Sequence, residues 1–353
     1  MDKKAVFENP SNDRTLEDIT ELDQVLTNPS DRLIKDMARL EGDILILGAG
    51  GKMGPSLALL AKRAIGQLDE KKEVICVSRF SDKEQKKFLE NHGIRVIAAD
   101  LMNEDDLQSL PEAKNVIYMA GQKFGTAENQ SLSWALNSYL PGRIADKYRK
   151  SSIVVFSTGN VYPLVNVMSG GSTENDSVGP VGEYAQSCLG RERVFEYFSR
   201  KHDTPMIMYR LNYAIDLRYG ILLEIAQSVY QEKPVDLRTG HVNVIWQGDA
   251  NEIALRSLLH SSSPPSVLNV TGPETVSVRW LATEFGKWFG KKPEFVNQEQ
   301  PTALLSNASN CFKLFGYPSV SLQQMIEWTA NWVIHDGKTI DKPTKFQERE
   351  GAF

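Results

Sequence analysis

The segment Asp43-Ile44-Leu45-Ile46-Leu47-Gly48-Ala49-Gly50-Gly51-Lys52-Met53-Gly54 constrains the fold of this chain more than any other. Four apolar residues in a row, Ile44 to Leu47, read as a strand buried on both faces, the pattern of a parallel sheet. A glycine-rich turn follows, and then an alanine- and leucine-rich helix from Ser56 to Ile65. That order aims helix N–H groups and the positive end of a helix dipole at one point, a seat for phosphate. Gly48 permits the tight turn, Gly51 lets the backbone approach the phosphates, and Gly54 lets the helix pack closely on the strand. The spacing is GxxGxxG; the GxGxxG form starts at Gly48 and Gly50 but puts Met53 on its last glycine. The flanking strand and helix supply the context expected of a dinucleotide loop. Lys52 and Met53 are counted with that loop as cofactor contacts.

From Asp43 onward, strands and helices alternate. The runs Val74–Val77, Arg95–Ala98, Val116–Met119, Ile153–Phe156 and Met206–Tyr209 are short and β-rich, with helical segments between them. The pattern predicts an α/β fold: a Rossmann-type, doubly wound parallel sheet with helices on both faces. After about residue 212 the alternation loosens, and helices are expected over Leu222–Tyr230, Asp249–Leu259, Ser277–Phe289 and Ser321–Val333. Ahead of the first strand, Thr15 and Asp18 have the spacing of a capping box, with Leu16, Ile19, Leu22 and Leu26 following at helical intervals. Asn28-Pro29 ends that helix, and Ser30-Asp31 opens a second one through Leu33, Ile34, Met37 and Leu40. The expected division is a helical extension over 1–41, a nucleotide-binding Rossmann domain over 42–211, and a lobe over 212–336. The lobe is mainly substrate-binding, with some segments returning to the sheet. The polar tail 337–353 is expected as a surface arm, ordered or frayed, and the extension as a brace or a dimer contact.

Length and composition narrow the class. The 353 residues suffice for a nucleotide domain and a smaller lobe. A net charge of −5, with basic residues only in short pairs such as Lys71-Lys72 and Lys291-Lys292, argues against nucleic acid as a partner. Three cysteines, Cys76, Cys188 and Cys311, are too few and too far apart for a disulfide framework or a zinc site, so no metal is expected. No apolar run approaches the roughly 20 residues of a membrane span. The polar, acidic N-terminus is unlike a signal peptide. A cytoplasmic enzyme or binding protein is expected.

The strand Ile153–Phe156 runs into Ser157-Thr158-Gly159-Asn160-Val161-Tyr162-Pro163, and Gly182-Glu183-Tyr184-Ala185-Gln186-Ser187-Cys188 opens a later helix. A hydroxyl at the C-terminal end of a strand and a tyrosine at a helix start can converge in the ligand crevice of a parallel sheet. With these residues the chain resembles the extended short-chain dehydrogenase/reductase superfamily, and within it the NAD-dependent epimerase/dehydratase branch. The resemblance runs from about residue 43 to 335. Gly48, Gly51 and Gly54 match the family's cofactor loop, and Asp100-Leu101 the pair, begun by an acidic residue, that usually contacts the adenine ring. Ala120-Gly121-Gln122-Lys123-Phe124-Gly125 is similar to the Ala-Gly-x-Lys-x-x-Gly loop of UDP-glucose 4-epimerases. Asn137 with Gly142 matches the central helix, and Leu268-Asn269-Val270 with Gly272 a late signature.

The resemblance implies that Tyr184 is the general acid/base, that Thr158 orients the substrate oxygen, and that a lysine four residues after the tyrosine lowers its pKa and holds the nicotinamide ribose. In this chain that position is Cys188. Three readings stay open: another cation replaces the lysine, the chemistry does not need an acidified tyrosine, or the protein binds a dinucleotide without turnover. Lys123 is the candidate cation, although the resemblance places it on the cofactor phosphates; Arg191, two turns beyond Tyr184, is read as too distant. Cys188 reads as a small buried side chain filling the lysine's space beside the cofactor.

Ser78-Arg79 at the end of the second strand lacks the acidic residue of NAD-binding members and suits a 2′-phosphate, which favours NADP over NAD. The segment His241–Asp249 has no arginine for a substrate pyrophosphate, with Val242 at that place and Arg238 nearby, and Arg210–Asp216 lacks the usual Gly-Pro. His241, Trp246 and Tyr213 are candidate pocket residues. The expected activity is that of an NAD(P)-dependent epimerase/dehydratase or oxidoreductase, acting on a sugar or sugar-derived hydroxyl compound by hydride transfer at a carbinol carbon. The alternative is a non-catalytic dinucleotide-binding sensor or partner protein. A homodimer is the family's habit.

Overall fold

The computed structural model describes residues 16–69, 71–123, 129–340 and 342–352. Thr15 of the expected capping box and Phe124 and Gly125 of the lysine loop lie outside them. Seven strands build the central sheet: β1 (Ile44–Leu47), β2 (Val74–Ser78), β3 (Arg95–Ala98), β4 (Asn115–Tyr118), β5 (Ser152–Thr158), β6 (Met206–Leu211) and β7 (Ser266–Val270). Their spatial order is β7-β6-β5-β4-β1-β2-β3, and every pairing is parallel. This is a Rossmann-type α/β fold. The order reverses between β1 and β4, which puts a ligand crevice at the C-terminal ends of those strands.

Alternation along the strands divides the core between the two faces. Ile44, Ile46, Cys76 and Ile117 enter one apolar cluster, and Leu45, Leu47, Ile75, Val77, Val116 and Tyr118 enter the other. Both faces are covered by helices, so the strands read as unbroken apolar runs instead of alternating ones.

The lobe has its own core around Trp246, Phe285, Trp328 and Trp332, with the helices Ile221–Tyr230, Val278–Phe289 and Leu322–Ile334 packed on one another. The extension ties the two cores together. Its first helix, Ile19–Leu26, puts Leu22 and Leu26 into the lobe core, and its second, Asp31–Arg39, puts Leu33 and Met37 into a sheet-face cluster. Asp18 caps the first helix through Glu21 N–H, and Ser30 caps the second through Leu33 N–H. The tail is packed as a strap. Phe346 is buried, Thr344 donates to the Glu224 carboxylate, and Gly351 lies against Gly182 at the start of the helix Gly182–His202.

Candidate active site

The glycine turn is built for close approach. Gly48 has φ +89°, and a Cβ there would sit 2.5 Å from Ala120 N. A Cβ on Gly54 would lie 2.0 Å from the Ala49 carbonyl oxygen, so the helix Gly54–Ile65 reaches the strand only because the residue is glycine. Gly51 is exposed and would meet only Gly48 O, at 3.6 Å. The three glycines thus divide the work as turn, open face and helix packing. No side chain caps the helix that follows, and Pro55 stands in its first turn. The other expected cofactor residues gather along the same sheet edge. Ser78 ends β2, with its Oγ where a Cβ on Gly50 would fall, while Arg79 is exposed. Asp100 follows β3 and is exposed, its carboxylate accepting from Met102 N–H at 3.0 Å. Leu101 is buried, and Ala120 and Gly121 follow β4, Ala120 against Gly48.

At the other end of the crevice a cavity of about 200 Å³ is lined by Lys52, Met53, Lys123, Thr158, Asn160, Tyr184, Tyr213, Tyr219 and Thr344, among others. Thr158, Tyr184 and Lys123 therefore meet around one space, although they come from a strand end, a helix start and a loop. Asn160 orients Thr158: its backbone N–H and its Nδ2 both donate to Thr158 Oγ1, at 3.1 and 2.9 Å. With its lone pairs occupied, the threonine hydroxyl has its proton left for the Tyr184 oxygen, to which it is hydrogen-bonded. The Lys123 ammonium lies 6.0 Å from the Tyr184 ring centroid. Burial pushes the Tyr184 hydroxyl well above the ordinary tyrosine range, while Thr158 and Arg191 pull it back. Burial also lowers both Lys123 and Lys52, each to about 8.

Cys188 is fully buried with Val161 and Tyr162, and its thiol is hydrogen-bonded to the Tyr184 hydroxyl. Burial raises its pKa. Arg191, expected to be too distant, is a buried cation at the back of the site and acts on both Tyr184 and Cys188. Its Nη1 donates to Phe156 O and its Nη2 to Asn137 Oδ1, both at 2.8 Å, and Nε has no partner among the described residues. Gly121 makes this possible, because a Cβ there would lie 2.2 Å from Nη2. Asn137 sits in a π-helical turn, Ala135–Tyr139, and also clasps the lysine loop by exchanging hydrogen bonds with Gln122 N–H and O, both at 2.9 Å.

A second buried network fixes the strand that carries Thr158. Glu192 accepts from Ser157 Oγ and from Arg210 Nε and Nη2, Arg210 Nη1 donates to the Tyr162 hydroxyl, and Tyr162 donates to Asn269 Oδ1. Asn269, singled out in the sequence, is thus an anchor between β7 and the loop after β5, since its Nδ2 also donates to Ser172 O. Of the three candidate pocket residues only Tyr213 lines this cavity; Trp246 belongs to the lobe core and His241 to a small two-stranded pairing with Ser277. Arg238 is exposed and paired with Asp236. Sequence reasoning missed Asn160, Tyr219 and Thr344. Asn160 carried a signal, two residues after a strand-end threonine; Thr344 lies about 160 residues from the tyrosine and carried none.

A larger groove of about 840 Å³ lies between the extension and the lobe, lined by residues such as Asn28, Arg32, Asp249, Arg256 and Tyr317. It shares no lining residue with the Tyr184 cavity. Among the described residues no group of three His, Cys, Asp or Glu side chains is placed to hold a metal ion, and no helix is long and apolar enough to cross a membrane.

Residues 44–214 match the sequence profile of the NAD dependent epimerase/dehydratase family. No curated protein matches the sequence. Among solved structures, the chain is similar to UDP-glucose 4-epimerase of Thermotoga maritima, with TM-score 0.68 and 16% identity, covering 83% of this chain and 99% of that one. UDP-glucuronic acid 4-epimerase of Bacillus cereus gives TM-score 0.68 and 17% identity over the same shares. An epimerase of Methanothermobacter thermautotrophicus gives TM-score 0.70 and 14% identity, covering 87% of this chain and 96% of that one. At these identities the likeness is one of fold.

Proposed function

We propose that the chain, whose residues 44–214 match the NAD dependent epimerase/dehydratase family, is an NAD(P)-dependent oxidoreductase of epimerase or dehydratase type. Its substrate is a sugar or a sugar-derived hydroxyl compound. The observation that carries the reading is the Thr158–Tyr184 hydrogen bond inside a cavity at the sheet's C-terminal edge, with Lys123 beside it. The open face at Gly51 and the glycine-permitted turn at Gly48 fit a pyrophosphate. Ser78 and exposed Arg79 offer a hydroxyl and a guanidinium but no carboxylate to the adenosine ribose, which favours NADP. A bound nicotinamide supplies or accepts the hydride.

The rest is done by side chains of this chain. Burial keeps Tyr184 protonated, so it begins as a proton donor to a carbonyl oxygen. Thr158, held by Asn160, turns its single O–H from the Tyr184 oxygen to that same substrate oxygen. The reverse direction needs the phenolate to accept a proton from a hydroxyl, and the positive charge of Arg191 favours that phenolate, with the Lys123 ammonium 6.0 Å from the ring centroid. Cys188 supplies no charge, so these two cations stand in for the missing lysine. A screen of sugars and polyols with cofactor-loaded protein, followed by nicotinamide absorbance and by product NMR, tests the proposal. Turnover that Tyr184→Phe abolishes while cofactor stays bound is the expected result. Tight cofactor binding with no turnover of any compound, and a Tyr184→Phe protein indistinguishable in each assay, would leave a dinucleotide-binding protein that is not an enzyme.

A further inference from the structure

We propose that the C-terminal strap, residues 342–352, is a lid on the Tyr184 cavity that undocks as a unit to admit and release what binds there. The lid itself is inferred from geometry; that the nicotinamide end of a dinucleotide passes it rests on the oxidoreductase reading. The strap runs from the lobe to the start of the helix that carries Tyr184. At the lobe end Thr344 is buried and lines the cavity. Next to it, the positive charge of Lys345 acts on Lys123, another lining residue. At the far end Gly351 packs backbone to backbone on Gly182. A Cβ on Gly351 would lie 2.4 Å from Val181 O, and one on Gly182 would lie 2.5 Å from Gly351 O. Both have positive φ, +82° and +79°, so the seat requires residues without a side chain. The strap thus touches the cavity at one end and the base of the Tyr184 helix at the other.

The way the strap is held lets it leave without unfolding anything else. Among the described residues, no backbone–backbone hydrogen bond joins 342–352 to the rest of the chain. Side chains make the ties instead. Thr344 N–H and Oγ1 donate to Glu224 Oε2 at 2.9 and 2.6 Å, and Gln347 Nε2 donates to Glu224 Oε1 at 3.1 Å. Arg349 donates to Thr302 O and Oγ1 at 2.7 and 2.6 Å, and to Arg238 O at 3.3 Å. Phe346 supplies the apolar anchor, in the lobe core. Within the strap, Phe346 N–H donates to Thr344 Oγ1, Glu348 N–H to Lys345 O, and Glu350 N–H to Glu348 Oε1. These local bonds persist when the outer ties break, so the segment moves as one body. Undocking exposes one phenylalanine and leaves every helix and strand in place. The other walls of the cavity include the end of β5, the Tyr184 helix and the lobe strand Ala214–Ile215, which cannot open without breaking a ladder or a helix.

The test uses the full chain and two readouts. In wild-type protein without dinucleotide, amide hydrogen exchange should show 342–352 opening at least about a hundredfold more often than β5. The second readout is the association and release of NADPH or NADH, followed by nicotinamide fluorescence. Arg349→Ala and Gly351→Val change no residue that lines the cavity. Each loosens the strap alike in the free and the bound protein, so association and release should both accelerate, at least about fivefold, while affinity stays within about twofold. Strap amides that exchange no faster than those of β5 overturn the inference. So do variants that leave both rates unchanged, or that weaken affinity through release alone, the behaviour of a fixed wall. If wild-type protein takes up neither dinucleotide, the oxidoreductase reading falls, and the exchange readout alone decides the lid.

Discussion

Exchanging the positions of charge behind Tyr184 tests whether Arg191 is the cation that the site uses. Cys188 and Arg191 are three residues apart on one helix, so side chains there lie about 5–6 Å apart at Cβ. A lysine at 188 would place an ammonium next to the guanidinium; two unit charges at that distance repel by about 3 kcal/mol at an effective dielectric of about 20. Filling a fully buried cysteine site with the longer side chain adds about 1–3 kcal/mol. Cys188→Lys alone should therefore cost about 4–6 kcal/mol. Arg191→Met removes two charge-assisted hydrogen bonds but also a buried charge, for a net loss of about 2–4 kcal/mol. In the double variant the repulsion is gone, so it should be about 3 kcal/mol more stable than the sum of the single losses predicts. Urea unfolding followed by tryptophan fluorescence measures all four proteins. Additivity within about 0.5 kcal/mol would refute the shared location of the two charges, and with it the claim that Arg191 replaces the absent lysine.

One further outcome follows from the strap. Phe346→Ala removes the strap's buried aromatic anchor, worth about 3–5 kcal/mol. Amide hydrogen exchange over residues 342–352 should accelerate at least tenfold, and unchanged exchange would show that Glu224 and the Arg349 contacts to Thr302 hold the strap without it.

What could be read from the sequence follows the range of the interactions. Ile44–Leu47, its glycine turn and the helix after it follow one another in the chain, so their residue types mark all three locally and they appeared near the expected residues, although the strand's ladder partners are distant. Cys188 reads from spacing alone, because a helix fixes where the fourth residue after Tyr184 points. Arg191 shows the limit of that argument. Helical spacing gave its distance along the axis, but its role depends on a glycine in another loop, Gly121, that leaves room for the guanidinium. Asn269 carried a recognisable motif, yet only the buried chain from Glu192 through Arg210 and Tyr162 explains it. The tail looked like a polar surface arm because Phe346, flanked by charged and polar residues, gives no period. Its burial depends on a lobe helix more than 100 residues earlier in the chain.

The most direct test of the central claim is a crystal structure of the protein with NADP or NAD bound. The account requires the pyrophosphate over the turn Gly48–Gly54 and the nicotinamide in the cavity lined by Thr158, Tyr184 and Tyr213, with Cys188 still buried behind the tyrosine. A dinucleotide bound elsewhere, or one whose nicotinamide end stays outside that cavity, would contradict it.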